Sequence, residues 1–216
     1  MSVYVVIDLE MCKVPVINKK TKNILANEVI QIGAILLDEE FEFKDSFVSY
    51  VYPKFGTVDK FIQNLTGISQ KDLVGAPDFE TAMRAFVEWL PEEAILVSWS
   101  DTDRYQLQRE LSVKGIELPE MEHYFETWID CQKLFGAKAN SKRNYKLSEA
   151  LILSAIDYQD GEHDALVDAK NTAFLFAKME KEPDFKLSAV CASADEATYS
   201  TYNPFADLLA NFSFAE

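Results

Sequence analysis

The sequence has few cysteines, glycines and prolines, and each shortage argues against a class of protein. Its three cysteines, Cys12, Cys131 and Cys191, form no Cys-x-x-Cys pair, so we predict free thiols rather than a disulfide framework or a zinc cluster. Seven glycines and seven prolines in 216 residues are too few for a linker-rich chain.

No run approaches the roughly 18 apolar residues that cross a bilayer. The apolar start, residues 1–7, lacks the basic region of a signal peptide. We therefore expect a cytoplasmic protein without membrane contact.

Positive charge is also scarce, because 21 Lys and Arg face 36 Asp and Glu, for a net charge of −15. Non-specific binding of nucleic acid needs basic residues against phosphates, so this balance argues against tight binding of long duplexes. The objection weakens if acidic side chains gather around divalent cations, since bound metal reverses the local sign. With 48% apolar residues, the chain can still bury one sizeable core.

The hydrophobic pattern predicts an α/β fold with a mixed sheet flanked by helices. Five strands are predicted at Val3–Ile7, Val29–Leu37, Phe41–Tyr52, Ala94–Ser98 and Phe125–Ile129. Helices are predicted at Asp59–Asn64, Asp78–Leu90, Asp103–Lys114, Leu147–Leu153 and Asp164–Glu180. The short spacing of the first three strands predicts an antiparallel meander, and the later alternation predicts helices layered on the sheet.

A change of composition at Pro183 predicts a boundary between a domain at 1–182 and a C-terminal appendage at 183–216. The appendage mixes Ser, Ala, Asp, Phe and Tyr without periodicity. We expect it to pack on the core or on a partner chain, for example in a homodimer, and disorder is the alternative.

Two acidic residues, Asp8 and Glu10, follow the first predicted strand. Residues two apart on a strand point to the same face, so the two carboxylates lie side by side. Unpaired, they would repel each other and raise each other's pKa, whereas a divalent cation would remove that cost. An exposed acidic strand end is the plainer interpretation of this short pattern.

A third acid follows the fourth strand, where Asp101 and Asp103 compete for one role. Sites in α/β sheets form outside the carboxyl ends of strands, which favours an acid here. Asp101 could instead cap the following helix, and Asp103 could simply favour the helix dipole.

The last element is a histidine separated by four residues from an aspartate in a predicted helix, His163-x4-Asp168. The apolar side of this helix should pack on the sheet and turn Asp168 toward the strand ends, with His163 at the helix entrance. The other histidine, His123, has no motif around it and is interpreted as structural.

In this order, the motifs resemble those of the DEDDh superfamily of 3′–5′ exonucleases, over about residues 3–180. The resemblance extends to the branch of histone-mRNA exonucleases and bacterial KapD-like proteins, through Val5–Glu10, Glu28–Gly33, Leu65–Ile68, Leu96–Asp103 and His163–Asn171. It implies a ribonuclease H-like three-layer fold with a five-stranded sheet. It also implies two Mg²⁺ or Mn²⁺ ions held by Asp8, Glu10, Asp103 and Asp168. His163 would be the general base.

The resemblance implies that the chain acts on 3′ ends of nucleic acid, with RNA favoured and DNA the alternative. Contacts with the substrate are expected from six residues, namely Met11, Leu65, Thr66, Trp99, Arg143 and Tyr145. Leu65 and Thr66 resemble the family segment near the 3′-end nucleotide, and Tyr145 is predicted to stack on a base. A core methionine at Met11 and a solvated loop around Arg143 are equally simple interpretations, and Trp99 is either core or platform.

Two other functions compete with a 3′–5′ exonuclease. A catalytically weak exonuclease fold could serve as a regulatory or binding module, as in KapD-like control of sporulation. Another ribonuclease H-like enzyme, such as an endonuclease, is the second alternative. The His-x4-Asp spacing favours the exonuclease.

Overall fold

A mixed five-stranded sheet lies at the centre of the part of the chain that the computed structural model describes, residues 3–15, 25–157 and 163–187. Its strands are β1 (Val3–Lys13), β2 (Asn27–Leu37), β3 (Phe43–Tyr50), β4 (Ala94–Ser98) and β5 (Ile129–Asp130). The order across the sheet is β3-β2-β1-β4-β5. The first three strands pair antiparallel, and β4 and β5 continue parallel to β1. The predicted mixed sheet and meander are confirmed.

Helices cover both faces of the sheet and complete three layers. Within the described residues they are α1 (Lys60–Thr66), α2 (Phe79–Trp89), α3 (Thr102–Lys114), α4 (Met121–Glu126), α5 (Cys131–Lys138), α6 (Leu147–Leu153) and α7 (Ala165–Lys181). Val5 and Ile7 of β1 face a core shared with α2, α3 and α4, whereas Val6 faces a second core shared with α5, α6 and α7. This alternation follows from the two-residue period of a strand.

Aspartates and glycines set several helix ends. The side chains of Asp59, Asp78 and Asp164 accept hydrogen bonds from backbone N–H groups in the first turns of α1, α2 and α7. Gly67 and Gly115 end α1 and α3 in the left-handed conformation, with φ of 73° and 66°.

Two predicted boundaries are wrong. The segment predicted as a fifth strand, Phe125–Ile129, is the end of α4 followed by the two-residue β5. Aromatic residues there satisfy strand propensity, but the Trp128 indole is buried in the core and donates to Ser98 Oγ at 2.8 Å. Also, β1 does not end before Asp8 but continues to Lys13, because β2 keeps pairing with it beyond a bulge after Glu10.

The predicted appendage is described only at its start. Phe185 is buried, and its ring lies 6.1 Å from that of Phe135 on α5. Residues 188–216 lie outside the described residues, so the boundary at 182 stays a prediction. Cys12 and Cys131 are free thiols, as predicted, and Cys191 lies outside the described residues. In the described ranges, none of the helices has both the length and the apolar character to span a membrane.

Candidate active site

The two acids of β1 lie on the sheet face that α7 covers. Asp8 and Glu10 continue the face of Val6, which packs in the core beneath α7. Asp8 pairs with Gly33 of β2 and Glu10 pairs with Gln31. Glu10 is only 8% exposed, and the bulge after it ends the regular alternation of the strand.

Helix α7 approaches this face closely because β2 carries a glycine there. A Cβ atom on Gly33 would lie 2.2 Å from the backbone nitrogen of Leu166 and 2.3 Å from the carbonyl carbon of Ala165. The first turn of α7 therefore rests directly on the backbone of β2, next to Asp8. That contact brings the acid-bearing turn of α7 to the two carboxylates of β1.

The structure brings His163, Asp168 and Glu10 together. One possible ligand atom from each of these three side chains lies within 4.8 Å of the other two. The backbone N–H of His163 donates to Asp168 Oδ2 at 3.1 Å, across the first turn of α7. His163 has a φ of 67°, a left-handed conformation that costs energy for a residue with a side chain. Backbone strain of this kind is typical of functional sites, where the surrounding structure holds a side chain in one position.

The structure separates the two rival aspartates. Asp103 is 6% exposed in the first turn of α3, and its carboxylate is hydrogen-bonded to the backbone of Leu9, between Asp8 and Glu10. Asp101 forms ion pairs with Lys133 and with Arg104, the latter at 3.5 Å, and its side chain makes no capping hydrogen bond. Of the two, Asp103 is the residue placed against β1.

The crowded carboxylates resist ionisation without a cation. Burial, helped by the charges of Asp168, Asp164 and Asp103, raises the pKa of Glu10 to about 8. Burial also raises the pKa of Asp8 well above its usual value, with Asp103 as the next largest cause. Burial raises the pKa of Asp103 to about 7. A divalent cation would offset this repulsion, and the carboxylate oxygens of these acids fit Mg²⁺ or Mn²⁺.

A cavity of about 520 Å³ opens beside the acids. Its lining residues are Trp99, Gln132, Asn144, Tyr145, Lys146, Leu147, Ser148, His163 and Asp168. His163 and Asp168 thus face a space that can admit part of a nucleotide, and Lys146 is among its lining residues.

Two predicted aromatic contacts have different positions at this cavity. Trp99 is half-buried on the wall, with its ring 6.2 Å from that of Phe135. Tyr145 is only 1% exposed, its ring meets Phe135 edge-on at 5.1 Å, and Arg143 covers the ring at 4.9 Å. The prediction that Tyr145 stacks on a base is corrected to a core role, because its ring has no open face. Arg143 is also paired with Glu149.

The other predicted contacts lie around α1 and the end of β1. Met11 is partly buried against the core, Leu65 is 38% exposed, and Thr66 is 9% exposed. The Thr66 hydroxyl donates to the carbonyl of Ile62 and accepts from the N–H of Ile68, which ends α1. Both hydrogen bonds of the hydroxyl are therefore used at the C-terminal end of α1.

Sequence reasoning missed an exposed aromatic on the same helix. Phe61 is 63% exposed, and the Lys13 ammonium lies 5.5 Å from its ring. Phe61 lies four residues before Leu65, and this spacing could have predicted from the sequence that both side chains share one face of α1.

Comparison with known proteins places this fold and site in a family. The family model RNase_T, described as exonuclease, matches residues 5–176, and the chain belongs to this family. "ERI1 exoribonuclease 2" of Danio rerio is 29% identical over 184 residues, covering 74% of this chain and 32% of that protein. "3'-5' exonuclease Snipper" of Drosophila melanogaster is 27% identical over 177 residues, covering 72% and 62%. The chain therefore spans less than two thirds of both relatives.

Solved structures show the same architecture. The nuclease domain of 3'hExo, a DEDDh family member bound to rAMP, aligns with a TM-score of 0.73 at 22% identity, covering 86% of this chain and 96% of that one. Cell-death related nuclease 4 aligns with a TM-score of 0.70 at 20% identity, covering 93% and 72%. The ribonuclease H-like fold and the resemblance to DEDDh exonucleases are confirmed.

Proposed function

We propose that the chain is a metal-dependent 3′–5′ exonuclease. It releases nucleoside monophosphates from single-stranded or 3′-overhang nucleic acid, with RNA favoured over DNA. One observation carries the proposal, which is the convergence of Glu10, His163 and Asp168 within 4.8 Å beside an open cavity. Membership in the exonuclease family supports the activity, and the names of the exoribonuclease relatives support RNA.

Four carboxylates would hold two divalent cations. Asp8 lies centrally, since the charges of Asp103, Asp168 and Glu10 all raise its pKa. Glu10 and Asp168 would bind on the side of His163, and Asp103 would support the other side. The cations held there would supply stabilisation of the charge on both the attacking and the leaving oxygen of an in-line displacement.

His163 would act as the general base. A ring nitrogen of His163 would take one proton from the attacking water, a role for which the ordinary pKa of imidazole is suited. The water oxygen then bonds to phosphorus, and the bond to the 3′ oxygen of the preceding nucleotide breaks. That oxygen takes a proton from solvent, and the terminal nucleotide leaves as a monophosphate.

A time course on labelled 3′-overhang RNA and matched DNA tests the proposal. With Mg²⁺ or Mn²⁺ we expect ladder-like shortening from the 3′ end, and none with EDTA. Asp8→Asn and Asp168→Asn should both abolish the ladder, whereas Asp184→Asn, an exposed aspartate beyond α7, should not.

Three outcomes would contradict the proposal. A ladder from Asp8→Asn would remove Asp8 from the site. Cleavage of a circular substrate would indicate an endonuclease. Metal binding without cleavage of either substrate would instead indicate a regulatory or binding module.

A further inference from the structure

One buried side chain ties the first turn of α7 to the sheet. Gln31 of β2 is 2% exposed. Its Nε2 donates to Asp164 Oδ2 at 3.0 Å, and its Oε1 accepts from the backbone N–H of Ala165 at 3.1 Å. Both ends of the amide are therefore used in holding the start of the helix.

Asp164 is engaged from both sides. Its Oδ1 accepts from the backbone N–H groups of Leu166 at 3.0 Å and Val167 at 3.2 Å, while its Oδ2 accepts from Gln31. Asp164 is close enough to Asp8 and Glu10 for its charge to raise the pKa of both. Because both of its oxygens accept hydrogen bonds, we assign it to the helix start rather than to the metal ligands.

Gln31 lies on β2 directly beside the acids of β1. Gln31 is the direct partner of Glu10 in β1, two pairs along the strands from Gly33 and Asp8. The side-chain amide of Gln31 is hydrogen-bonded to Asp164 and Ala165, the residues immediately after His163. The position of α7 relative to Glu10 therefore depends on these two hydrogen bonds and on the close contact at Gly33.

We propose that Gln31 and Asp164 form a positioning clamp that sets the distance between Glu10 on the sheet and His163 and Asp168 on the helix. The proposal rests on the proposed function, since these three residues would bind the cation and the water. Gln31 is a positioning residue, because it acts through the helix that it holds. Hydrogen-bonded partners behind metal ligands typically affect metal affinity or activity by about 10–100-fold.

Only an amide satisfies both partners at this position. Ala165 needs an acceptor and the Asp164 carboxylate needs a donor, and a glutamine side chain offers one of each. A glutamate at 31 would keep the acceptor but would face Asp164 with a second negative charge. A methionine would leave the buried N–H of Ala165 and one oxygen of Asp164 without this partner.

A charge-matched exchange tests the clamp. Gln31→Glu and Asp164→Asn are made singly and together, and the double variant has the same total charge as the natural chain. In the double variant, the new amide at 164 can donate to the new carboxylate at 31, so the hydrogen bond returns with donor and acceptor exchanged. Gln108→Glu, at an exposed position on α3, controls for added charge alone.

Mn²⁺ affinity by titration calorimetry is the first measurement, and kcat and KM on 3′-overhang RNA are the second. We expect Gln31→Glu to weaken Mn²⁺ binding by about 10–100-fold and to lower kcat more than it raises KM. The double variant should recover most of the lost affinity, and Gln108→Glu should match the natural chain. If Gln31→Glu does not fold, Gln31→Met should show the same loss without an added charge.

The clamp is overturned if Gln31→Glu or Gln31→Met binds Mn²⁺ like the natural chain, or if the double variant is no better than the weaker single variant. Failure of the proposed function is distinguishable, because it would appear as absent cleavage by the natural chain. The clamp would still stand on the pattern of Mn²⁺ affinities.

Discussion

At the scale of single residues, the difference between Asp101 and Asp103 shows how neighbours decide a role. Both begin α3, but Asp101 is paired with Lys133 and Arg104, whereas Asp103 is buried against β1. Asp103→Asn should lower kcat by more than about 100-fold, beyond what an outer-shell partner contributes. Asp101→Asn should lower it by only a few-fold, which steady-state kinetics on 3′-overhang RNA would check. Equal losses would show that both aspartates serve the site.

A second prediction at this scale concerns the buried carboxylate of Glu28. It accepts hydrogen bonds from the backbone N–H groups of Lys54, Phe55 and Gly56, and Lys114 Nζ lies 2.7 Å from it. Burial pushes its pKa up, but Lys114 and the N–H groups of Phe55 and Gly56 hold the pKa below its usual value. Glu28→Ala would leave the three N–H donors without this acceptor and Lys114 with one partner fewer, so we expect a loss of about 3–5 kcal/mol in the free energy of unfolding.

Urea unfolding would measure this loss. Glu88→Ala removes an exposed carboxylate from α2 and should change stability by less than about 0.5 kcal/mol. A similar small effect for Glu28→Ala would mean that the loop at 54–56 does not depend on this carboxylate.

At the scale of elements, the contact between α7 and β2 predicts that Gly33 tolerates no side chain. The atoms that a Cβ would meet, 2.2 and 2.3 Å away, belong to the backbone of α7 and cannot rotate aside. Gly33→Ala should therefore move the helix, lower stability by at least about 1–3 kcal/mol and reduce cleavage as His163 and Asp168 shift. Thermal unfolding and the RNA time course would measure both effects.

Gly136→Ala is the matched control. The new Cβ would lie 3.3 Å from the carbonyl oxygen of Ser141, a contact that a small shift relieves, and Gly136 is on α5. It should cost less stability than Gly33→Ala and leave cleavage unchanged. Full activity in Gly33→Ala would show that α7 can adjust without moving the site.

The sequence predicted the elements whose signals are local. The apolar runs of β1 and β2 and the cap and periodicity of α7 are visible in the chain, so the sheet and the acid-bearing helix could be placed. The end of α4 and the short β5 could not be predicted, because burial of Trp128 against Ser98 is a tertiary contact that overrides strand propensity. Tyr145 was misjudged for the same reason, since its contact with Phe135 depends on how α5 packs.

At the scale of the whole molecule, part of the acidic charge behind the net charge of −15 is gathered at the candidate active site. Besides burial, the charges of Asp103, Asp164 and Asp168 raise the pKa of both Asp8 and Glu10 at this site. Bound cations would cover part of this charge where the phosphate must enter. Lys146, a basic residue, also lines the cavity beside these acids.

This charge cluster makes stability depend on pH and metal together. Burial raises the pKa of Glu10 from 4.5 to about 8, so the folded chain binds a proton more tightly than the unfolded chain does. In EDTA, the stability contributed by that proton is full below about pH 4.5 and is lost as pH rises toward about 8. Cations compete with the same proton, so stabilisation by Mn²⁺ should grow over this range. At a Mn²⁺ concentration of about 100 times Kd and pH 8, Tm should rise by about 5 to 10 °C, and by less at pH 5.5.

Scanning calorimetry at both pH values, with Mn²⁺ and with EDTA, measures this coupling. Glu10→Gln removes the titrating group, so its Tm in EDTA should fall less between pH 5.5 and pH 8 than that of the natural chain, and Mn²⁺ should stabilise it less. Asp184→Asn, with an exposed aspartate changed, should keep the natural dependence. A Tm in EDTA that rises from pH 5.5 to pH 8 would mean that the acids ionise without strain. The cluster would then have no need of a cation, and the metal-dependent chemistry proposed for it would lose its physical basis.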